Sequence, residues 1–108
     1  MNTMKSGTKY KFGDVLLAFV QFVDTDEIKA RPVLVLFEEY GNIVTAGITS
    51  NPYMNGIKLT KKDGMFMDSI IKINYIMTIS HDAVKKGLIE IPDIKKKMVR
   101  EEIMKRLN

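Results

Sequence analysis

Apolar and polar residues alternate in short blocks along this chain, and most of the blocks predict strands. "VLLAFVQF" (15–22) is β-branched and aromatic, with a Gly13-Asp14 turn before it, and predicts a first strand. "VDTDEIKA" (23–30) is polar and short, which predicts a loop. "PVLVLF" (32–37) is apolar without a break, the pattern of a strand covered on both faces. Pro32 is expected at its first position, because proline brings no N–H to a ladder. "EEYGN" turns the chain into the next strand, "IVTAGITS" (43–50).

Asn55-Gly56 and Asp63-Gly64 accept the positive φ of tight turns and bracket the alternating "IKLTK". In "SIIKINYIMTI" (69–79), Ile71, Ile73, Tyr75, Met77 and Ile79 share one face while Lys72, Asn74 and Thr78 share the other, a half-buried strand. Ser80 is placed to cap a short helical turn over "HDAVKK", which Gly87 would stop. Asp93 is placed to cap a last helix, 94–106, with Ile94, Met98, Ile103 and Leu107 roughly on one stripe. A helix this short is marginal alone, so it is expected to dock on the sheet or on a second chain. Short strands with closely spaced turns predict a mainly β fold with short helices, a small antiparallel barrel or sandwich.

Composition narrows the function classes. With 45% apolar and 28% charged residues, the balance is that of a soluble globular chain. Its 108 residues suit one domain able to bury a core without staples. No cysteine is present, which excludes disulfides, thiol catalysis and cysteine-metal sites. No run approaches the ~18 apolar residues of a membrane span, and the start lacks an apolar signal core, so no membrane role and a cytoplasmic location are expected. The net charge of +4 permits an anionic partner without demanding one. Residues 24–39 carry five acids against Lys29 and Arg31, so an acidic loop frames that arginine.

The single histidine, His81, reads as an ordinary surface residue in a turn, since a metal site needs several converging ligands. No P-loop is present, and no metal or cofactor is expected. "KYKF" (9–12) and "KKK" (95–97) read as solvated lysines around edge-covering aromatics and on a helix face. What remains is a set of polar groups at strand ends. If the strands flanking "EEYGN" pair as a hairpin, Arg31 at the start of one and Thr49 at the end of the other become neighbours at one rim. A permanently charged fork beside a hydroxyl suits a phosphate and the charge that builds on it. The alternative is an ordinary salt bridge from Arg31 to Asp24, Asp26 or Glu27, worth about 0–1 kcal/mol if exposed.

In order along the chain stand Gly13-Asp14 and a hydrophobic run, Arg31-Pro32-Val33-Leu34-Val35, Ile48-Thr49-Ser50, and Asp68-Ser69-Ile70 running to Ile76-Met77-Thr78-Ile79. This order resembles the MazF/PemK toxin endoribonucleases, over roughly residues 10–107. The resemblance implies an SH3-like antiparallel β-barrel with a C-terminal α-helix, one domain over 10–108 after an N-terminal extension, 1–9. It further implies a homodimer, a cognate antitoxin, and metal-independent, sequence-selective cleavage of single-stranded RNA by 2′-hydroxyl attack. Arg31 and Thr49 match the family's catalytic positions. Asp24, Asp26 and Glu27 are the loop acids available for proton transfer, and Lys29, Ser50 and Asn51 are expected to contact RNA. Two features depart from the family: the 23–30 loop has no glycine, and Met77 stands where the family has an arginine, preceded by Asn74 and Tyr75. The alternative function is therefore a barrel that binds RNA or a protein partner without cleaving.

Overall fold

Among the described residues, 9–22 and 26–108 of a computed structural model, six strands form one antiparallel sheet. They are β1 (Asp14–Val20), β2 (Lys29–Glu39), β3 (Asn42–Thr49), β4 (Ile57–Leu59), β5 (Ser69–Ser80) and β6 (Val84–Glu90), in the order β4-β5-β3-β2-β1-β6. A helix, α1 (Asp93–Leu107), closes the chain. The sheet curls into a half-barrel, so the mainly β barrel with a C-terminal helix is the architecture observed.

The period-two pattern divides the core. Val15, Leu34, Ala46, Ile48, Ile71 and Val99 pack in one cluster, which includes the helix. Leu16, Val33, Val35, Phe22 and Tyr75 pack in a second. β2 and β3 are joined by Tyr40 (φ 52°) and Gly41 (φ 80°), a two-residue turn with both residues left-handed, between the paired Glu39 and Asn42.

Two ladder irregularities bend the sheet. Leu36 is an extra residue on β2, between the pairs Val35↔Thr45 and Phe37↔Val44. On β5 the partner sequence jumps from Ala46↔Ile76 to Gly47↔Lys72, leaving residues 73–75 unmatched on β3. Such bulges kink a strand and increase its twist, which helps close a barrel.

Four local expectations change. Pro32 is the fourth residue of β2 and pairs with Leu17, while the ladder to β3 begins only at Val33↔Gly47. The missing N–H falls where the rungs to β3 stop, so proline is tolerated inside the strand. Asp63-Gly64 ends a 3₁₀ turn (Lys61–Asp63), with Gly64 left-handed at its C-cap. The turn over "HDAVKK" is a 3₁₀ helix of His81–Ala83 with no side-chain cap from Ser80, and Gly87 lies within β6. Finally, α1 begins at Asp93 behind Pro92, without a side-chain cap, and of the expected stripe only Ile103 faces inward. Val99 is fully buried and Ile103 packs beside it, but Ile94, Met98 and Leu107 are exposed. Lys95 Nζ donates to the Lys58 carbonyl at 2.6 Å and Lys96 Nζ to Glu90 at 2.5 Å. These ties fix the rotation that turns Val99 inward.

Candidate functional site

The β2–β3 register brings the start of one strand to the end of the other. Val33 pairs with Gly47, and two residues further along each strand stand Arg31 and Thr49. Both line one hollow of about 240 Å³, together with Lys29, Ser50, Pro32 and Ser69. Among the described residues its lining has two cations, three hydroxyls and no carboxylate.

Arg31 is held from below rather than by an acid. Its Cζ lies 4.5 Å from the centroid of Phe22, a buried ring in the second core cluster. Phe22 meets Tyr75 edge-on at 5.4 Å, and Gly47 makes room for it: a Cβ at position 47 would stand 2.9 Å from the Phe22 ring. Arg31 Nε is buried without a hydrogen-bond partner, and among the described residues no carboxylate pairs with this side chain. A guanidinium in an aromatic seat, with its Nε–H unspent and no carboxylate beside it among the described residues, is suited to an anion.

Thr49 closes β3. Its Oγ1 accepts from the Asn51 N–H at 3.1 Å, which leaves the hydroxyl proton to be donated elsewhere. Asn51 is not in the lining; its Oδ1 accepts from the Tyr53 N–H at 3.0 Å and shapes the loop. Asp26 and Glu27 lie in the exposed loop outside the lining, and Glu27 pairs with Lys29 at 3.4 Å. Asp24 falls outside the described residues. The hollow thus gathers Arg31, Thr49, Lys29 and Ser50 and leaves out Asn51, Asp26 and Glu27.

Sequence reasoning missed three members. Ser69, nearly buried at the start of β5, donates from its hydroxyl to the Met67 carbonyl at 3.1 Å. Phe66 and Met67 also line the hollow and are exposed. The available signal was "GMFM", large apolar residues crowded into a segment with no strand alternation.

Met77 packs half-buried against the second cluster, and Asn74 faces a different groove; neither lines the hollow. That other groove, of about 910 Å³ between α1 and the β4–β5 edge, is larger, but three of the four cations in its described lining, all except Lys58, are occupied. Lys72 donates to the Asn55 carbonyl, Lys95 to the Lys58 carbonyl, and Arg106 to Glu102. It also contains Glu101 and Glu102, which oppose an anion. The smaller hollow is the better phosphate site.

His81 belongs to a structural cluster at the far end of β2. Its Nε2 lies 2.6 Å from Glu38 Oε2, Tyr10 stacks on it at 5.4 Å, and the Tyr10 N–H donates to Glu38 Oε1 at 2.8 Å. Burial pushes the Glu38 carboxyl up, but the hydrogen bonds from His81 and the Tyr10 amide outweigh it and hold the group below its ordinary value. Among the described residues no three His, Asp or Glu side chains converge as metal ligands, and no helix is long and apolar enough to cross a membrane.

No family model matches the chain, and no curated protein matches it. Solved structures do. One is an endoribonuclease from Mycobacterial species, in complex with its cognate antitoxin, 13% identical over 93% of this chain and 94% of that one, with a TM-score of 0.71. The fold defined above, a curled antiparallel barrel with a C-terminal helix, is shared with that endoribonuclease over most of both chains.

Proposed function

We propose that this chain is a metal-independent, sequence-selective endoribonuclease toxin of the MazF/PemK kind, cleaving single-stranded RNA at the Arg31–Thr49 hollow. The observation that carries the reading is Arg31 itself: seated on Phe22, with a buried, unpartnered Nε and no acid beside it among the described residues. A salt-bridge role would require a carboxylate partner, and among the described residues neither Asp26 nor Glu27 is one.

In the proposed reaction the RNA 2′-oxygen attacks the adjacent phosphorus and the bond to the 5′-oxygen breaks, giving a 2′,3′-cyclic phosphate and a 5′-hydroxyl end. Charge builds on the non-bridging oxygens, and the Arg31 fork and the Thr49 hydroxyl donate to them there. The 2′-hydroxyl proton goes to a base, for which Asp24, Asp26 and Glu27 of the 23–30 loop are the candidates, and the departing 5′-oxygen takes a proton in turn. Lys29 and Ser50 hold neighbouring phosphate oxygens. A hollow of about 240 Å³ is below the ~300–1,000 Å³ of small-molecule sites, which favours one unit of a polymer over an enclosed metabolite.

The fold shared with an endoribonuclease solved in complex with its cognate antitoxin supports a toxin with an antitoxin partner, for which a cytoplasmic location is proposed. Exposed Ile94, Met98 and Leu107 on α1 are consistent with a homodimer, and a monomer by light scattering at micromolar concentration would remove that part. Incubation of the purified protein with a long unstructured RNA in EDTA tests the main reading. Fragments with cyclic-phosphate and 5′-hydroxyl ends are expected; intact RNA, or ends bearing 5′-phosphate, would overturn it.

One observation favours a second reading, a barrel that binds RNA without cleaving it: neither Asp26 nor Glu27 lines the hollow, and Glu27 is paired with Lys29. Salt-sensitive RNA binding with no cleavage by the folded protein would select it.

A further inference from the structure

Exposed aromatic side chains are common on soluble proteins, and one alone means little. Phe66 is different in its surroundings and in how firmly it is held. It is 65% exposed, yet both neighbours in the chain are fixed: Met65 is buried in the core, and the Met67 carbonyl is tied by the Ser69 hydroxyl at 3.1 Å. The turn before it is braced by a capping box between Thr60 and Asp63, by left-handed Gly64, and by the Met65 N–H donating to the Thr60 carbonyl at 3.3 Å. The Lys61 N–H donates to Asp68 at 3.3 Å and closes the segment from the other side. The chain therefore spends a network of hydrogen bonds on presenting an apolar ring to solvent.

That ring lines the same hollow as Arg31, Lys29 and the Thr49 hydroxyl, where no carboxylate is present among the described residues. Cations tracking a backbone beside an exposed ring are the composition of a single-stranded nucleic-acid site, in which phosphates meet the charge and a base stacks on the ring. An acidic protein surface would satisfy the cations, but an unpaired nucleotide brings both a phosphate for them and a π-face for the ring. The geometry points to Phe66 as the stacking platform for an unpaired nucleobase next to the phosphate held by Arg31, with Met67 flanking it. This rests on the RNA reading above and assigns to Phe66 a positioning role on the base, separate from the chemistry at phosphorus. Every base has a π-face, so the contact supplies affinity and strand placement with little sequence preference.

The test uses labelled 2′-O-methyl RNA, which cannot be cleaved by 2′-oxygen attack, and an abasic strand of the same length. Phe66→Ala is expected to weaken binding of the base-containing strand about tenfold and to leave the abasic strand unchanged. Phe66→Trp should restore the affinity. Arg31→Ala should weaken both strands and flatten the salt dependence. Wild-type affinity of Phe66→Ala for both strands, with Arg31→Ala still impaired, would overturn the stacking role and leave the phosphate site standing. Loss of both strands equally in folded Phe66→Ala would also overturn it. Binding of neither strand by the wild type would instead remove the RNA reading beneath it. Circular dichroism melting of each variant keeps unfolding separate from these outcomes.

Discussion

The guanidinium of Arg31 lies over the ring of Phe22, 4.5 Å from its centroid, and Phe22 in turn packs against Gly47. The three residues come from β2, from the segment after β1, and from β3 at the point where β5 slips register. The cation is thus positioned by the core. Replacing the seat changes the site without touching a residue that meets substrate.

Gly47→Ala is the sharpest test of that support. The new methyl would stand 2.9 Å from Phe22 Cζ and 3.1 Å from Tyr75 Cβ, both buried. Overpacking of this kind costs about 1–3 kcal/mol, and Phe22 must move with Arg31 above it. Urea melts should show the lost stability together with a fall in RNA cleavage. A variant as stable and active as wild type would mean that the seat is slack.

Phe22→Leu keeps an apolar side chain but removes the ring. A cation–π contact of about 0.5–2 kcal/mol is lost, so kcat/KM is expected to fall roughly two- to thirtyfold with the fold retained. Unchanged kinetics would show that Arg31 orients itself without the ring.

Much of this was legible in the chain. The hydrophobic runs located the strands, and "EEYGN" located the hairpin whose register sets Arg31 near Thr49. The seat was not legible, because Phe22 looks like any strand-end aromatic and Gly47 like any strand glycine until the register slip brings them together. The inward face of α1 was misjudged for a related reason. Apolar spacing favoured Ile94, Met98 and Leu107, but the tertiary ties of Lys95 and Lys96 rotate the helix onto Val99. Pro32 within β2 depended on where the β3 ladder stops, which only pairing shows.

The helix assignment makes its own prediction. Val99→Ala, at a fully buried position, should cost roughly 2 kcal/mol, while Ile94→Ala, largely exposed, should stay within about 0.5 kcal/mol. Chemical denaturation of the two variants decides it, and the reverse order would restore the stripe read from the sequence.

Glu38 gives a pH dependence with a definite sign. Its folded carboxyl titrates below the ordinary range because His81 and the Tyr10 amide bind the charged form. The unfolded chain takes up the proton first, in the ordinary glutamate range, so the stabilisation is fully present above that range and is lost as pH falls through the lower folded value. Glu38→Gln should therefore flatten the acid limb of the stability–pH curve. An acid limb identical to wild type would show that other carboxylates govern it.

The central claim is that Arg31 stabilises charge on a scissile phosphate, and single-turnover cleavage of unstructured RNA in EDTA by wild type and Arg31→Ala measures it most directly. The expected result is a fall of about 10²–10³-fold in the rate at saturating enzyme, with cyclic-phosphate ends from the residual activity and an unchanged melting profile. Cleavage by folded Arg31→Ala at the wild-type rate would contradict the claim and return Arg31 to a structural role beside Phe22.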